Sequence, residues 1–273
     1  MMVSMSTSAT PTSTNSTSRL ARTVAITSGK GGVGKTFVSA NLAAALTRQG
    51  LKVLVLDADL GLANLDVVLN LYPKITLHDV FTGKAQLEEA ILPAPGGFSV
   101  LLAGSGLVEY SRLTPEVRDQ LHNIMEAVKP RFDVLLIDTG AGISDVVLYA
   151  VSLAHEVIVV ATPEPTSMTD AYATIKVLSS QQSREQLNLV VNQVGRSGDG
   201  RAICNQLQQV VERFVQSPAG QSPRLNFLGD VPLDSSVREA VQKRQLLLEL
   251  HPGSPASMGI VQVATRLLSR QPA

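Results

Sequence analysis

The run Gly29-Lys30-Gly31-Gly32-Val33-Gly34-Lys35-Thr36 carries the residue types that phosphate chemistry needs, at the spacing it needs. Its glycines let successive backbone N–H groups turn toward one point with no Cβ in the way, and a helix starting just after them adds partial positive charge. The pattern G-x-x-x-x-G-K-[ST] directs Lys35 to the β and γ phosphates of a nucleotide and offers the Thr36 hydroxyl to a magnesium ion that bridges phosphate oxygens. ATP with Mg2+ is the expected ligand. Phe37, directly after the motif, belongs to the same segment but need not touch the ligand.

Carboxylates occur at two further places. Asp57 and Asp59 are spaced i, i+2, so they share one side of an extended chain. One can hold magnesium through water while the other orients the attacking water. The run Val134-Leu135-Leu136-Ile137-Asp138 is four aliphatic residues ending in an acid, the form that delivers a carboxylate to a magnesium shell. Thr139-Gly140-Ala141-Gly142-Ile143 comes next, and its glycines permit a segment that responds to the γ-phosphate. Where guanine-specific enzymes have N-K-x-D, this chain has Asn192-Gln193-Val194-Gly195. The Asn192 carboxamide has a donor and an acceptor, which suits the N6/N7 edge of adenine.

Short aliphatic runs alternate with helical patterns. Buried strands are predicted at Thr23–Thr27, Lys52–Asp57, Ser99–Leu102, Val134–Asp138, Val157–Ala161, Leu187–Asn192 and Leu225–Gly229. Helices are predicted near Lys35–Gln49, Pro115–Val128, Asp145–Ala154, Ser167–Ser180, Ala202–Val215, Ser235–Gln242 and Ala256–Leu268. The class is therefore α/β: a mostly parallel central sheet flanked by helices on both faces, with ligands gathering at the carboxyl ends of the strands. Residues 21–273 read as one domain. Residues 1–20 read as a disordered tail, because the Ser/Thr-rich run from Val3 to Ser18 has too little apolar surface to order itself.

Composition excludes several function classes. Basic and acidic residues balance at 23 each, so no net field attracts DNA or an anionic membrane, and nucleic acid is not an expected partner. The single Cys204 provides neither a disulfide framework nor a structural zinc site or bridging iron–sulfur cluster. That weighs against a metabolic reductase or cluster carrier built on the same loop. His78, His122, His155 and His251 lack metal-ligand spacing. With no apolar run long enough to span a bilayer and no signal-peptide segment, the expected location is the cytoplasm.

Lys30 is not needed to cradle phosphate within one subunit. The form K-G-G-x-G-K-[ST], here Lys30 to Thr36, resembles the deviant Walker A family that includes MinD, ParA and the flagellar-number regulator FlhG. The resemblance runs from about Arg22 to the end, and implies a P-loop NTPase fold of the MinD/ParA type. It implies that Lys30 reaches across a nucleotide-sandwich homodimer to the partner's phosphates. It also implies that Asp59 positions water, that Asp57 lies on the magnesium side with Thr36 and Asp138, and that Asn64 is a further switch contact. Pro232 and Asp234 are implied as the other wall of the base pocket. Gly61–Asp66, Thr76–Gly83 and Pro163–Tyr172 look more like FlhG than like MinD or ParA.

The function that the resemblance implies is a slow ATPase that dimerises with ATP and regulates flagellar number or placement. The alternatives are MinD-like positioning of a division site or ParA-like partitioning. Implied partners are the GTPase FlhF, a flagellar transcription regulator or flagellar switch proteins. The D-Q-A-x-x-L-R segment with which some FlhG proteins stimulate FlhF is absent, so that role is not expected of this tail. Relatives also dock on membranes through a last amphipathic helix. Here Ile260, Ala264 and Leu267 form a stripe better suited to closing the core, and a peripheral place at the inner membrane face is left open.

Overall fold

In the computed structural model, residues 21–60, 64–104, 113–196, 198–218 and 220–270 are described. The Ser/Thr-rich tail and Gly61-Leu62-Ala63 of the flagellar-type segment lie outside them. The aliphatic runs become strands β1 (Arg22–Ser28), β2 (Val53–Ala58), β3 (Ile91–Pro93), β4 (Ser99–Leu101), β5 (Val134–Ala141), β6 (Glu156–Ala161), β7 (Gln186–Val194) and β8 (Arg224–Pro232). They form one sheet in the order β3-β4-β2-β5-β1-β6-β7-β8. Every pairing is parallel except β3 on β4. β3 was not predicted: three residues carry no period, and Pro93 suits only an edge.

The helices are α1 (Lys35–Thr47), α2 (Leu65–Leu69), α3 (Leu77–Phe81), α4 (Leu87–Ala90), α5 (Pro115–Val128), α6 (Asp145–Ser152), α7 (Pro165–Gln182), α8 (Asp199–Phe214), α9 (Ser235–Lys243), α10 (Leu247–Leu250) and α11 (Pro255–Ser269). The long ones match the predicted segments. α2, α3, α4 and α10, of four or five residues each, were too short to show a helical period.

Alternation along the strands divides the core in two. Ala25, Leu54, Leu56, Leu135, Ile137, Val157 and Val159 point to the face covered by α5, α6, α7 and α8. Val24, Ile26, Val53, Val55, Leu136, Ile158 and Val160 point to the face covered by α1 and α11. Because α1 is enclosed on every side, from Phe37 to Leu46 all its residues are buried, and its sequence is apolar or small throughout. Ile260, Val263, Ala264 and Leu267 of α11 are buried in the same cluster, so the last helix closes the core as its stripe predicted. No helix among the described residues is long and apolar enough to cross a membrane. β1 lies in the middle of the sheet, between β5 and β6, where the strand order turns. Its carboxyl end therefore opens into the crevice in which doubly wound sheets bind ligands.

Candidate functional site

The loop leaves β1 at Ser28 and enters α1 at Lys35. Gly32 (φ +78°) and Gly34 (φ +94°) occupy the left-handed region that a side chain disfavours. The loop is also wedged: a Cβ on Gly29 would stand 2.1 Å from the Asp170 carbonyl oxygen, and one on Gly34 would stand 2.4 Å from Asn192 Nδ2. Asn192 Nδ2 donates to the Val33 carbonyl at 2.8 Å, and its Oδ1 accepts from the Gln193 N–H at 2.9 Å. The carboxamide expected at an adenine edge thus braces the phosphate loop here.

Lys35 is the buried cation of the site, with 9% exposure, and its Nζ donates to Ser28 Oγ at 2.9 Å. Burial lowers its pKa, opposed by the charges of Asp138 and Asp59. Parallel register sets Asp57 of β2 directly beside Asp138 of β5, and both are buried. Burial pushes the Asp138 carboxyl up to about 6, against the pull of the Ser39 and Thr36 hydroxyls and of Lys35; Ser39 Oγ donates to Oδ1 at 2.8 Å. Asp57 is raised well above the usual carboxylate range, first by burial and then by the Asp138 charge. Its Oδ1 accepts from the Asp59 N–H at 3.2 Å, and its Oδ2 is buried with no partner.

Buried carboxylates, one of them with an unpartnered oxygen, beside a single buried ammonium are the arrangement that a divalent cation would relieve. The residues therefore fit magnesium. Among the described residues no three His, Cys, Asp or Glu side chains gather into a metal cage.

Above these groups lies a cavity of about 710 Å³, lined by Gly31, Gly32, Gly34, Lys35, Thr36, Phe37, Asp59, Asn64, Thr139 and Gly140 among others. That volume is within the range of small-molecule sites. The structure so joins the loop, Asp59, Asn64 and the glycine-containing end of β5 around one space. Asp59 lies against that segment, since a Cβ on Gly140 would be 3.4 Å from its Oδ1.

Pro232 and Asp234 are not among the residues lining that cavity. Asp234 caps α9, accepting from the Ser236 N–H at 2.9 Å, and also accepts from the Ala256 N–H at 3.2 Å at the start of α11. Desolvation opposes its ionisation, but these hydrogen bonds together outweigh it and hold its pKa below the usual range. Pro232 packs against α11, where a Cβ on Gly259 would meet its Cδ at 3.3 Å.

Lys30 points out of the loop. Its Nζ donates to Glu164 Oε2 at 2.9 Å and to Thr166 Oγ1 at 3.0 Å, at the start of α7. Sequence reasoning singled out neither partner. It likewise passed over Ser28 and Ser39, which carry the hydrogen bonds to Lys35 and Asp138, because lone hydroxyls give no signal in a sequence.

A ParA family model, described as NUBPL iron-transfer P-loop NTPase, matches residues 19–268. The antiactivator FleN of Pseudomonas aeruginosa is 42% identical over 244 residues, which are 89% of this chain and 85% of that protein. The flagellum site-determining protein YlxH of Helicobacter pylori is 36% identical over 249 residues, 90% of this chain and 82% of that protein. Among solved structures, the septum site-determining protein MinD of Pyrococcus horikoshii complexed with Mg-ADP superimposes with a TM-score of 0.74 at 29% identity, covering 91% of this chain and 96% of that one.

Proposed function

We propose that this chain, which belongs to the ParA/MinD family of P-loop ATPases, is an ATP-dependent dimerising switch regulating the number or placement of flagella. The observation that carries the dimer is the division of labour between the loop's two lysines. Lys35 is buried among Ser28, Asp138 and Asp59, as a phosphate-binding cation within one subunit should be. Lys30 stands at the rim, partly exposed, where a second subunit can be reached. The flagellar task is supported by the similarity to FleN and YlxH over most of the chain.

In this reading the loop N–H groups and Lys35 hold the phosphates of ATP. Thr36, Asp138 and Asp57 hold Mg2+, which supplies charge neutralisation at the phosphate oxygens. Asp59, beside Gly140, orients the water that attacks the γ-phosphate. Asn64 reads the nucleotide state from the other side of the cavity, and Lys30 completes the partner subunit's site. On the base side the family resemblance assigns the walls to Asn192, whose carboxamide also braces the loop, and to the Pro232–Asp234 turn, which lies outside the residues lining the cavity. The ATP dimer would then present its surface to a protein of the flagellar system, such as a transcription regulator, switch proteins or FlhF, in the cytoplasm. Iron transfer is not part of this reading, because the single cysteine is buried on the inner face of α8 and offers no thiolate to a cluster.

The test is the mass in solution of Asp59→Ala, by size exclusion with light scattering in Mg2+ and ATP. Slow or absent hydrolysis should leave a dimer that persists after gel filtration. A variant that stays monomeric at every ATP concentration would sink the scheme.

A further inference from the structure

Lys30 is already occupied within its own subunit. Its ammonium has three donors, and two of them are engaged by Glu164 Oε2 at 2.9 Å and Thr166 Oγ1 at 3.0 Å. The backbone beneath it is fixed: Ser28 Oγ donates to the Lys30 carbonyl at 2.7 Å, and Gly29 is wedged against Asp170 of α7. Only the lysine side chain is left to move. Glu164 is the N-cap residue of α7, an eighteen-residue helix packed into the core by Ala171, Ile175 and Leu178, so its own position is fixed by the fold.

We propose that Glu164 and Thr166 form a latch that holds Lys30 in cis and sets the threshold for the ATP-dependent dimer. The inference rests on the dimeric switch and adds its regulation. An ammonium bound to Glu164 cannot at the same time complete the phosphate shell of another subunit, so each protomer opens its latch before or as the dimer forms. Both side chains are partly exposed, with 40% for Lys30 and 63% for Glu164, so the pair is screened by salt and individually weak. A weak latch suits a switch, because it biases dimerisation without preventing it. Two latches open per dimer, which multiplies the effect of one.

Glu164→Gln removes the charge and keeps a hydrogen-bonding side chain at the helix cap. The dimer dissociation constant would be measured by light scattering for wild type and for Glu164→Gln, both with Mg2+ and a non-hydrolysable ATP analogue. Exposed pairs of this kind imply a roughly two- to thirty-fold tighter dimer in the variant at low salt, counting two latches. The gap should close as ionic strength rises from about 50 to about 500 mM, because screening opens the wild-type latch as well. Loss of the negative charge at the N-terminus of α7 alone would lower the melting temperature without tightening the dimer. Thr166→Val should act in the same direction as Glu164→Gln, more weakly. Coincident curves for wild type and Glu164→Gln would overturn the latch and leave the switch standing. A weaker dimer in the variant would also overturn it, by assigning Glu164 a supporting role. If neither protein dimerises, the dimeric switch fails and takes the latch with it.

Discussion

Lys30 and Lys35 sit five residues apart in one loop, yet the molecule treats them in opposite ways. Lys35 is buried, bonded to Ser28 and close to the carboxylates of Asp138 on β5 and Asp59 just after β2. Lys30 is partly exposed and held only by two side chains at the start of a helix 134 and 136 residues away. The first lysine belongs to a preorganised site whose geometry the sheet dictates. The second is bonded to residues it can leave, which is what a group shared between subunits requires. In the proposed dimeric switch, this difference would separate binding from switching within a single motif.

The largest expected effect lies on the buried side. If Lys35 holds two phosphates as proposed, Lys35→Ala would remove those charge-assisted hydrogen bonds and should weaken nucleotide binding by roughly a hundredfold or more, read by titration with a fluorescent ATP analogue. A loss of only a few-fold would mean that the two lysines are not divided as the geometry indicates.

A smaller effect arises from Asp138. Its carboxyl is pushed up to about 6 by burial, so below that pH a cation must displace its proton. Mg2+-dependent nucleotide affinity should therefore rise with pH, by up to about tenfold per pH unit below 6 from Asp138 alone, and Asp57, whose carboxyl is also raised, adds to the rise until it too is ionised, as measured by the same titration at several pH values. For the nucleotide-free protein the sign is reversed. Between the ordinary carboxylate value of 3.8 and about 6 the folded state binds more protons than the unfolded one, so this group's contribution to stability falls as pH rises through that window. The effect on the exposed side, where Glu164→Gln should tighten the dimer by roughly two- to thirty-fold at low salt, rests on the weakest single contacts.

The buried lysine and its surroundings were legible in the sequence, and those of the exposed lysine only in part. β1, the glycine loop and α1 are contiguous, and each carries a strong local signal: an aliphatic run, a glycine spacing and a helical apolar stretch. Asp57 and Asp138 could be read because each ends an aliphatic run, but their adjacency comes from the parallel register, which no local pattern encodes. Asn192 was correctly placed at the end of a strand. Its partner Val33 is 159 residues away, so its loop-bracing hydrogen bond was not visible. Asp234 precedes Ser235-Ser236 at a helix start, a plain capping signal, and the structure gives it that contact. Lys30 was read from its motif alone. Glu164 and Thr166, its partners, lie in the Pro163–Tyr172 segment, whose resemblance to FlhG gave no sign of a contact with Lys30.

Whether one lysine binds and the other bridges is decided by Lys30→Ala. Its ATP affinity and its mass in solution would be measured together, with Mg2+ and a non-hydrolysable analogue. Nucleotide affinity should stay within about three-fold of wild type, since an exposed lysine adds little in cis, while the variant remains a monomer at concentrations where wild type is dimeric. A Lys30→Ala protein that still dimerises, or one that loses nucleotide as completely as Lys35→Ala, would contradict the division between the two lysines.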